Sequence, residues 1–219
     1  MRGIKIIVGG AEFHTGNDLD LVQEVKNIGK PAVQSRLKEI PGRNGLLNFT
    51  KSLTGQVNYY NRQIELQYCG VGTHAELVKL DRKISMLHGE TIKFIDDDTP
   101  DYYYEGECTV ENTFNPGYLT IKLSISAYPF MRSIQPRRIV CEANNSGEGV
   151  DIHIKNNGRP VNPNIICNIT GVSIELRGDT VEITGSGIYP SLQLAPGVNV
   201  LTLYDNTDDI TIEFTEERI

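Results

Sequence analysis

The stretch Leu119-Thr120-Ile121-Lys122-Leu123-Ser124-Ile125-Ser126 alternates apolar and polar side chains without a break. Successive side chains on a β-strand point to opposite faces of the sheet, so this pattern predicts a strand with one buried face and one wet face. The same alternation recurs at residues 64–68, 150–154, 172–176 and 210–214. The sequence therefore predicts a mainly β protein.

One segment carries helical periodicity instead. Thr73 can cap its first turn, with Glu76 three residues later reaching back to it, and Gly89 is placed to end it. The apolar side chains that share one helical face are Leu77, Leu80, Ile84 and Leu87. We expect this amphipathic helix to lie on a sheet of the first half of the chain. Residues 46–53 are predicted to form either a second, weaker helix or a loop.

The sequence divides into two predicted domains near residues 128–136, where Pro129 and Pro136 interrupt the strand pattern. Proline removes a ladder donor and fixes φ, so strands stop there. Residues 1–132 are predicted to form a β-sandwich-like domain with the one α-helix. Residues 133–219 hold six to eight short strands with regular turns, which is the spacing of an antiparallel sandwich or jelly roll. Residues 28–47 have little periodicity and are predicted to be an arm that packs on another subunit.

Charge and hydropathy exclude two classes of partner. The formal net charge of −7 argues against a nucleic-acid binder held by phosphate neutralisation. No apolar run approaches the roughly 18 residues that a membrane helix needs. The short apolar start ends at Gly9-Gly10 and is predicted to be the first strand, so we expect the protein to fold in the cytosol of the cell that makes it.

No set of residues predicts catalysis, a cofactor or a metal site. None of the four histidines lies in a local signature of a nucleophilic triad, and no glycine run completes a phosphate loop. The four cysteines are too far apart for a zinc site and are predicted to be reduced. Asp96-Asp97-Asp98 with Asp101 could offer oxygen ligands to calcium, but they lack the EF-hand spacing. A solvated hairpin turn is the favoured interpretation of this acidic run.

Two adjacent segments resemble a known family. Residues 37–50 read LKEIPGRNGLLNFT, and residues 57–68 read VNYYNRQIELQY. They resemble the "IPGRDG" run and the "Y-x-NR" strand of siphophage distal tail proteins. The capped helix, the acidic turn, Tyr102-Tyr103-Tyr104 and the segment 126–130 follow in the order of that family. Asn44 and Asn48 stand where the family often has aspartate, an exchange that removes charge but keeps hydrogen-bonding capacity.

The resemblance implies a structural role in a phage or prophage tail. It implies a galectin-like β-sandwich for the second domain and a homo-hexameric ring formed by the first, with the arm reaching the neighbouring subunit. Such a ring joins the major tail-tube protein to the tail-associated hub or fibre protein and leaves a channel for DNA. The implied location is the virion tail tip, after assembly in the cytoplasm of the bacterial host.

Candidate interface residues follow from the arm and from residue type. Arginine is favoured at protein interfaces, which points to Arg43 and Arg62. Arg36, Lys38 and Asn44 complete the predicted set of subunit-interface residues.

Two other functions remain open on the sequence alone. The second half could be a carbohydrate-binding module that contacts the host cell wall, although it has no tryptophan and its aromatic residues are only Tyr189, Tyr204 and Phe214. Phe214 lies on an alternating apolar face and is predicted to be core. A cell-wall hydrolase is the third hypothesis, and the absence of triad and metal spacing argues against it.

Overall fold

The computed structural model describes residues 2–39, 41, 44–45, 47–50, 57–144, 148–168, 171–205 and 207–219. The chain divides into two compact units, Met1–Met131 with Ile219 and Arg132–Arg218. The predicted mainly β fold is confirmed.

The first unit is built on one antiparallel sheet. Its strands are β1 (Ile4–Val8), β2 (Ala11–His14), β3 (Val22–Ile28), β4 (Leu37–Lys38), β5 (Leu47–Asn48), β6 (Arg62–Val71), β7 (Thr91–Asp96), β8 (Tyr102–Asn115) and β9 (Tyr118–Ala127). Seven of these strands follow one another in the order β2-β1-β7-β8-β9-β6-β3. Among the described strands, β4 and β5 pair only with each other.

The core of the first unit lies on the apolar face of β6 and β9. The predicted alternation in β9 is confirmed, because Leu119, Ile121, Leu123 and Ile125 are fully buried. Leu123 lies opposite Leu66 of β6 in the register of the sheet. Each such pair removes apolar surface from water on both strands at once, and this burial stabilises the sheet.

The helix α1 (His74–Ser85) packs on β6, β8 and β9. As predicted, it begins after Thr73, whose backbone N–H and hydroxyl donate to the Glu76 carboxylate at 2.8 and 2.7 Å. Leu77 and Ile84 are buried, and Gly89 follows the helix with a φ of 81° that favours glycine. Of the second candidate helix at residues 46–53, Leu47–Asn48 form β5, and residues 46 and 51–53 lie outside the described residues.

The second unit is a two-sheet sandwich. The strands that follow β9 are β10 (Met131–Ser133), β11 (Arg137–Cys141), β12 (Val150–Asn156), β13 (Asn164–Ile166), β14 (Val172–Leu176), β15 (Asp179–Ile183), β16 (Gly187–Ile188), β17 (Gly197–Tyr204), β18 (Ile210–Phe214) and β19 (Glu217–Arg218). One sheet has the order β11-β18-β13-β16 and the other β12-β17-β14-β15. Ile174 and Leu203 from one sheet share a core with Ile212 and Phe214 from the other, so the alternation predicted at residues 172–176 and 210–214 is confirmed. At residues 150–154 it is confirmed only in part, because Ile154 is buried but Val150 is 40% exposed.

Candidate assembly surfaces

The arm that the sequence predicts is a β-ribbon. At its base Val33 pairs with Tyr59, and the Gln34 N–H donates to the Asn58 carbonyl at 2.9 Å. Further along, β4 pairs with β5, and the Phe49 N–H donates to the Arg36 carbonyl at 2.7 Å. The segment lacks strand periodicity because neither of its faces is buried in a domain core. Its hydrogen bonds come from its own return strand.

Apolar and basic side chains are exposed together on this ribbon. Val33, Leu37 and Phe49 are 44%, 53% and 37% exposed. Between residues 28 and 47 there are four basic residues and one acidic residue, in a chain whose formal net charge is −7. Clustered exposed apolar groups mark protein contact sites. A basic ribbon is also attracted to acidic surfaces such as those of a second copy of this chain.

The predicted interface residues fall into two groups. Arg36 and Lys38 are exposed on the ribbon, and Asn44 is exposed at its tip. Arg43 lies outside the described residues. Arg62 lies apart from these, at the start of β6.

Arg62 is 4% exposed, so its guanidinium is not presented at the surface of the folded chain. The alternation of β6 places it on the same face as Ile64 and Leu66. Its Nη1 lies 3.4 Å from the Tyr104 hydroxyl, and its guanidinium carbon lies 5.3 Å from the centre of the Tyr104 ring. Within the described part of the chain, Nε and Nη2 are buried and have no hydrogen-bond partner. Burial lowers the pKa of this arginine from its ordinary value, which reflects the cost of holding the charge out of water.

The outward face of the same sheet is polar. Glutamate, glutamine, serine and threonine side chains occupy the positions that alternate with the core. Three rows cross β6, β9 and β8 on this face: Gln63–Ser126–Glu107, Glu65–Ser124–Thr109 and Gln67–Lys122–Glu111. A face of this composition stays hydrated and repels phosphate through its carboxylates.

The acidic turn is only partly as predicted. β7 and β8 form the expected hairpin around it, but Asp96 is 4% exposed rather than solvated. The Lys26 ammonium donates to Asp96 at 2.7 Å and to Asp98 at 2.5 Å. Burial opposes the charged form of Lys26, but the hydrogen bonds to the two carboxylates outweigh it and raise the pKa of the lysine. This contact cannot be predicted from local sequence patterns, because Lys26 and Asp96 lie on strands that are distant in the chain.

Asp97 fixes the loop after β2. Its carboxylate accepts a hydrogen bond from the Gly3 N–H at 2.8 Å and lies 3.1 Å from Nε2 of His14. Burial opposes ionisation of Asp97, but these partners prevail and lower its pKa. Nδ1 of His14 in turn accepts from the Gly16 N–H at 3.1 Å. Among the described residues there is no group of three or more side chains able to hold a metal ion.

The second unit buries one carboxylate, Glu216, at 4% exposure. It accepts hydrogen bonds from Nη1 of Arg137 at 3.1 Å, from Nη2 of Arg218 at 3.0 Å and from the Asn157 N–H at 3.3 Å. The charge is therefore compensated and hydrogen-bonded, which is the condition for burying it. Sequence analysis missed this network because the end of the chain has the composition of an exposed terminus.

The aromatic residues of the second unit offer little to a sugar. Phe214 is 3% exposed and belongs to the core, as predicted. The Tyr189 hydroxyl donates to the Gly185 carbonyl at 2.7 Å. Tyr204 remains on the outward face, with its hydroxyl 3.2 Å from the Glu175 carboxylate. No helix in the described part of the chain is both long and apolar enough to cross a membrane.

Comparison with known proteins relates the chain to a solved structure. No protein-family model matches the sequence, and no curated protein sequence matches it significantly. The structure superposes on the crystal structure of SPP1 Dit, described as a paradigm of the hub adsorption apparatus in phages that infect Gram-positive bacteria. The match covers 99% of each chain with a TM-score of 0.69 and 14% sequence identity. The chain has the distal tail protein fold. The resemblance seen in residues 37–68 is confirmed at this level, and the distal tail fold extends through both units.

Proposed function

We propose that this chain is a structural hub protein at the tip of a siphophage or prophage tail. Six copies form a ring that connects the tail tube to the hub or fibre protein and leaves a channel for DNA. The first unit makes the ring, and the second lies outside it. The observation that carries the proposal is the agreement in fold with SPP1 Dit over 99% of both chains.

The ribbon supports a closed ring of identical subunits. A ribbon on one subunit that contacts a different surface of the next makes a heterologous contact, and such contacts close into rings when the rotation allows. Exposed Leu37 and Phe49 supply apolar area, and Arg36 with Lys38 supplies charge of the opposite sign to the rest of the chain.

The polar sheet face supports a channel wall. Its rows on β6, β9 and β8 place Glu65, Glu107 and Glu111 on one side of the sheet. A wall that carries carboxylates repels the phosphates of passing DNA and keeps it from adhering.

Light scattering on a concentration series tests the ring. We expect a mass near that of six chains at high concentration. Replacing residues 36–49 by a short Gly/Ser turn should return the mass to one chain while the unfolding midpoint of the core stays unchanged. A wild-type chain that stays monomeric, alone and with purified tube and hub proteins, contradicts the proposal.

A charge reversal with a matched control tests the role of the ribbon. The double variant Arg36→Glu, Lys38→Glu should lower the mass. The control Lys79→Glu, Lys155→Glu makes the same change in net charge at exposed positions outside the ribbon and should leave the mass unchanged. Equal behaviour of the two variants means that ribbon charge does not drive assembly.

DNA binding tests the channel wall. The triple variant Glu65→Gln, Glu107→Gln, Glu111→Gln should bind double-stranded DNA more tightly at low salt, because the repelling charges are gone. Neutralising Asp151, Glu175 and Glu182 in the second unit provides the control. If the two triple variants bind DNA equally, this face of the sheet is not the channel wall.

A further inference from the structure

The sequence contains two Asn–Gly pairs, Asn44-Gly45 and Asn157-Gly158. In such a pair the backbone nitrogen of the glycine can attack the asparagine side-chain carbonyl, because glycine has no Cβ to obstruct the approach. The reaction requires that this nitrogen is free of other hydrogen bonds and that the chain can bend toward the side chain. The two pairs differ in their hydrogen bonds and in their exposure to water.

Asn44 and Gly45 are both exposed at the tip of the ribbon. Gly45 has a φ of 83°, and a Cβ placed on it meets nothing within 4 Å. Among the described residues, neither Asn44 nor the Gly45 N–H has a hydrogen-bond partner. Both residues of this pair are therefore accessible to water.

The Asn157-Gly158 pair is held in place by its surroundings. The Gly158 N–H donates to Oδ1 of the buried Asn156 at 2.9 Å. Nδ2 of Asn157 donates to Glu216 at 3.2 Å, so the amide is fixed as well. A Cβ on Gly158 would lie 2.5 Å from the Glu217 carbonyl oxygen, which shows how closely the neighbouring backbone confines this turn.

We propose that Asn44 is a site of spontaneous deamidation in the native protein and that the fold protects Asn157 from the same reaction. The Gly45 nitrogen loses its proton and bonds to Cγ of Asn44, the Cγ–Nδ2 bond breaks, and ammonia leaves with that proton. Water then opens the succinimide at either carbonyl to give aspartate or isoaspartate. The balance is asparagine plus water to an acid plus ammonia, with no change in oxidation state.

Deamidation places a new negative charge on a ribbon whose charged side chains are mostly basic. If the ribbon contacts an acidic surface of the next subunit, this charge weakens the contact. The effect on assembly rests on the proposed function, whereas the chemistry at Asn44 does not.

Peptide mass mapping of the full chain, incubated at mildly alkaline pH, tests the chemistry. In native buffer we expect Asn157 to react at least roughly tenfold more slowly than Asn44, because its turn must first open locally. In denaturant the two sites should react at similar rates, since both then have the same flexible Asn–Gly sequence. Similar rates in the native protein, or a faster reaction at Asn157, overturn the proposal.

Variants separate the two sites. Asn156→Ala removes the acceptor of the Gly158 N–H and should raise the rate at Asn157 while the rate at Asn44 stays unchanged. If this variant does not fold, the wild-type chain still tests the proposal, through the ratio of the Asn157 deamidation rates in native buffer and in denaturant. Asn44→Asp compared with Asn44→Gln in light scattering tests the consequence for assembly. Equal masses overturn that consequence and leave the chemistry intact.

Discussion

Arg62 in the first unit and Glu216 in the second are both 4% exposed, but their surroundings differ. Glu216 accepts hydrogen bonds from two arginines and from Asn157. Arg62 has one long hydrogen bond, 3.4 Å to the Tyr104 hydroxyl, and two buried nitrogens, Nε and Nη2, that meet no acceptor among the described residues. One buried charge is compensated and the other is not.

The difference shows in which unit the buried charge finds its hydrogen-bond partners within the described part of the chain. A buried charge with partners fixes the elements that contribute them, as Glu216 does for β11 and the end of the chain. A buried charge without partners costs free energy and leaves bonding capacity unused. The second unit also has no counterpart to the exposed ribbon within its described residues. This difference supports the proposal that the first unit carries the contacts of the ring.

The largest expected effect is at Glu216. Glu216→Gln removes the buried carboxylate that pairs with Arg137 and Arg218, so we expect the second unit to lose stability near the low end of the about 3–5 kcal/mol typical of a broken buried pair. The low end applies because both arginines are partly exposed. Denaturant unfolding followed by hydrogen exchange of each unit measures it. An unchanged second unit would contradict the comparison.

Arg62→Met should behave in the opposite way. Removing a buried charge without a counter-ion should leave the free energy of unfolding within about 1 kcal/mol of wild type, or raise it. Tyr104→Phe, which removes only the hydroxyl at 3.4 Å, is the matched control. A loss comparable to that of Glu216→Gln means that Arg62 is compensated in the folded chain. A reduced mass at unchanged stability supports its predicted place at the subunit interface.

Acid should weaken the first unit through Asp97 and Asp98. The hydrogen bond from Lys26 lowers the pKa of Asp98, and the pKa of Asp97 is also lowered. A carboxyl with a lowered pKa stabilises the fold above its unfolded pKa, and this stability is lost as pH falls through the folded value, below about 4. Unfolding curves across this range measure the slope. Asp98→Asn should flatten it and Asp101→Asn should not; equal slopes contradict the assignment.

The smallest effect is expected at a surface pair of the second unit. Arg138 contacts Glu213, but its side chain is 66% exposed. Exposed pairs contribute little, so Arg138→Gln should change the free energy of unfolding by less than about 1 kcal/mol. Thermal unfolding of Arg138→Gln and of Glu216→Gln compares the two losses of stability. Equal losses would show that burial does not decide how much an ion pair contributes to stability.

The candidate surfaces were only partly predictable. Residues 28–47 stand out because they lack periodicity, and Arg36, Lys38 and Asn44 lie on the exposed ribbon there. The residue type of Arg62 does not predict its surroundings in the folded chain, since an arginine suits both a subunit interface and a stack on an aromatic ring. The alternation of β6 gave the missing signal, because it puts Arg62 in register with the apolar face.

The sequence by itself determined the strands with regular alternation, such as β6, β9, β14 and β18, the capped helix, and which side chains of these elements face water or the core. These follow from local periodicity, which a single strand or helix already contains. Only the tertiary structure decided that Lys26 meets Asp96, that Arg137 and Arg218 meet Glu216, and that one Asn–Gly pair is hydrogen-bonded while the other is exposed. Most of those contacts join residues far apart in the chain, and their geometry exists only after the sheets have paired and packed.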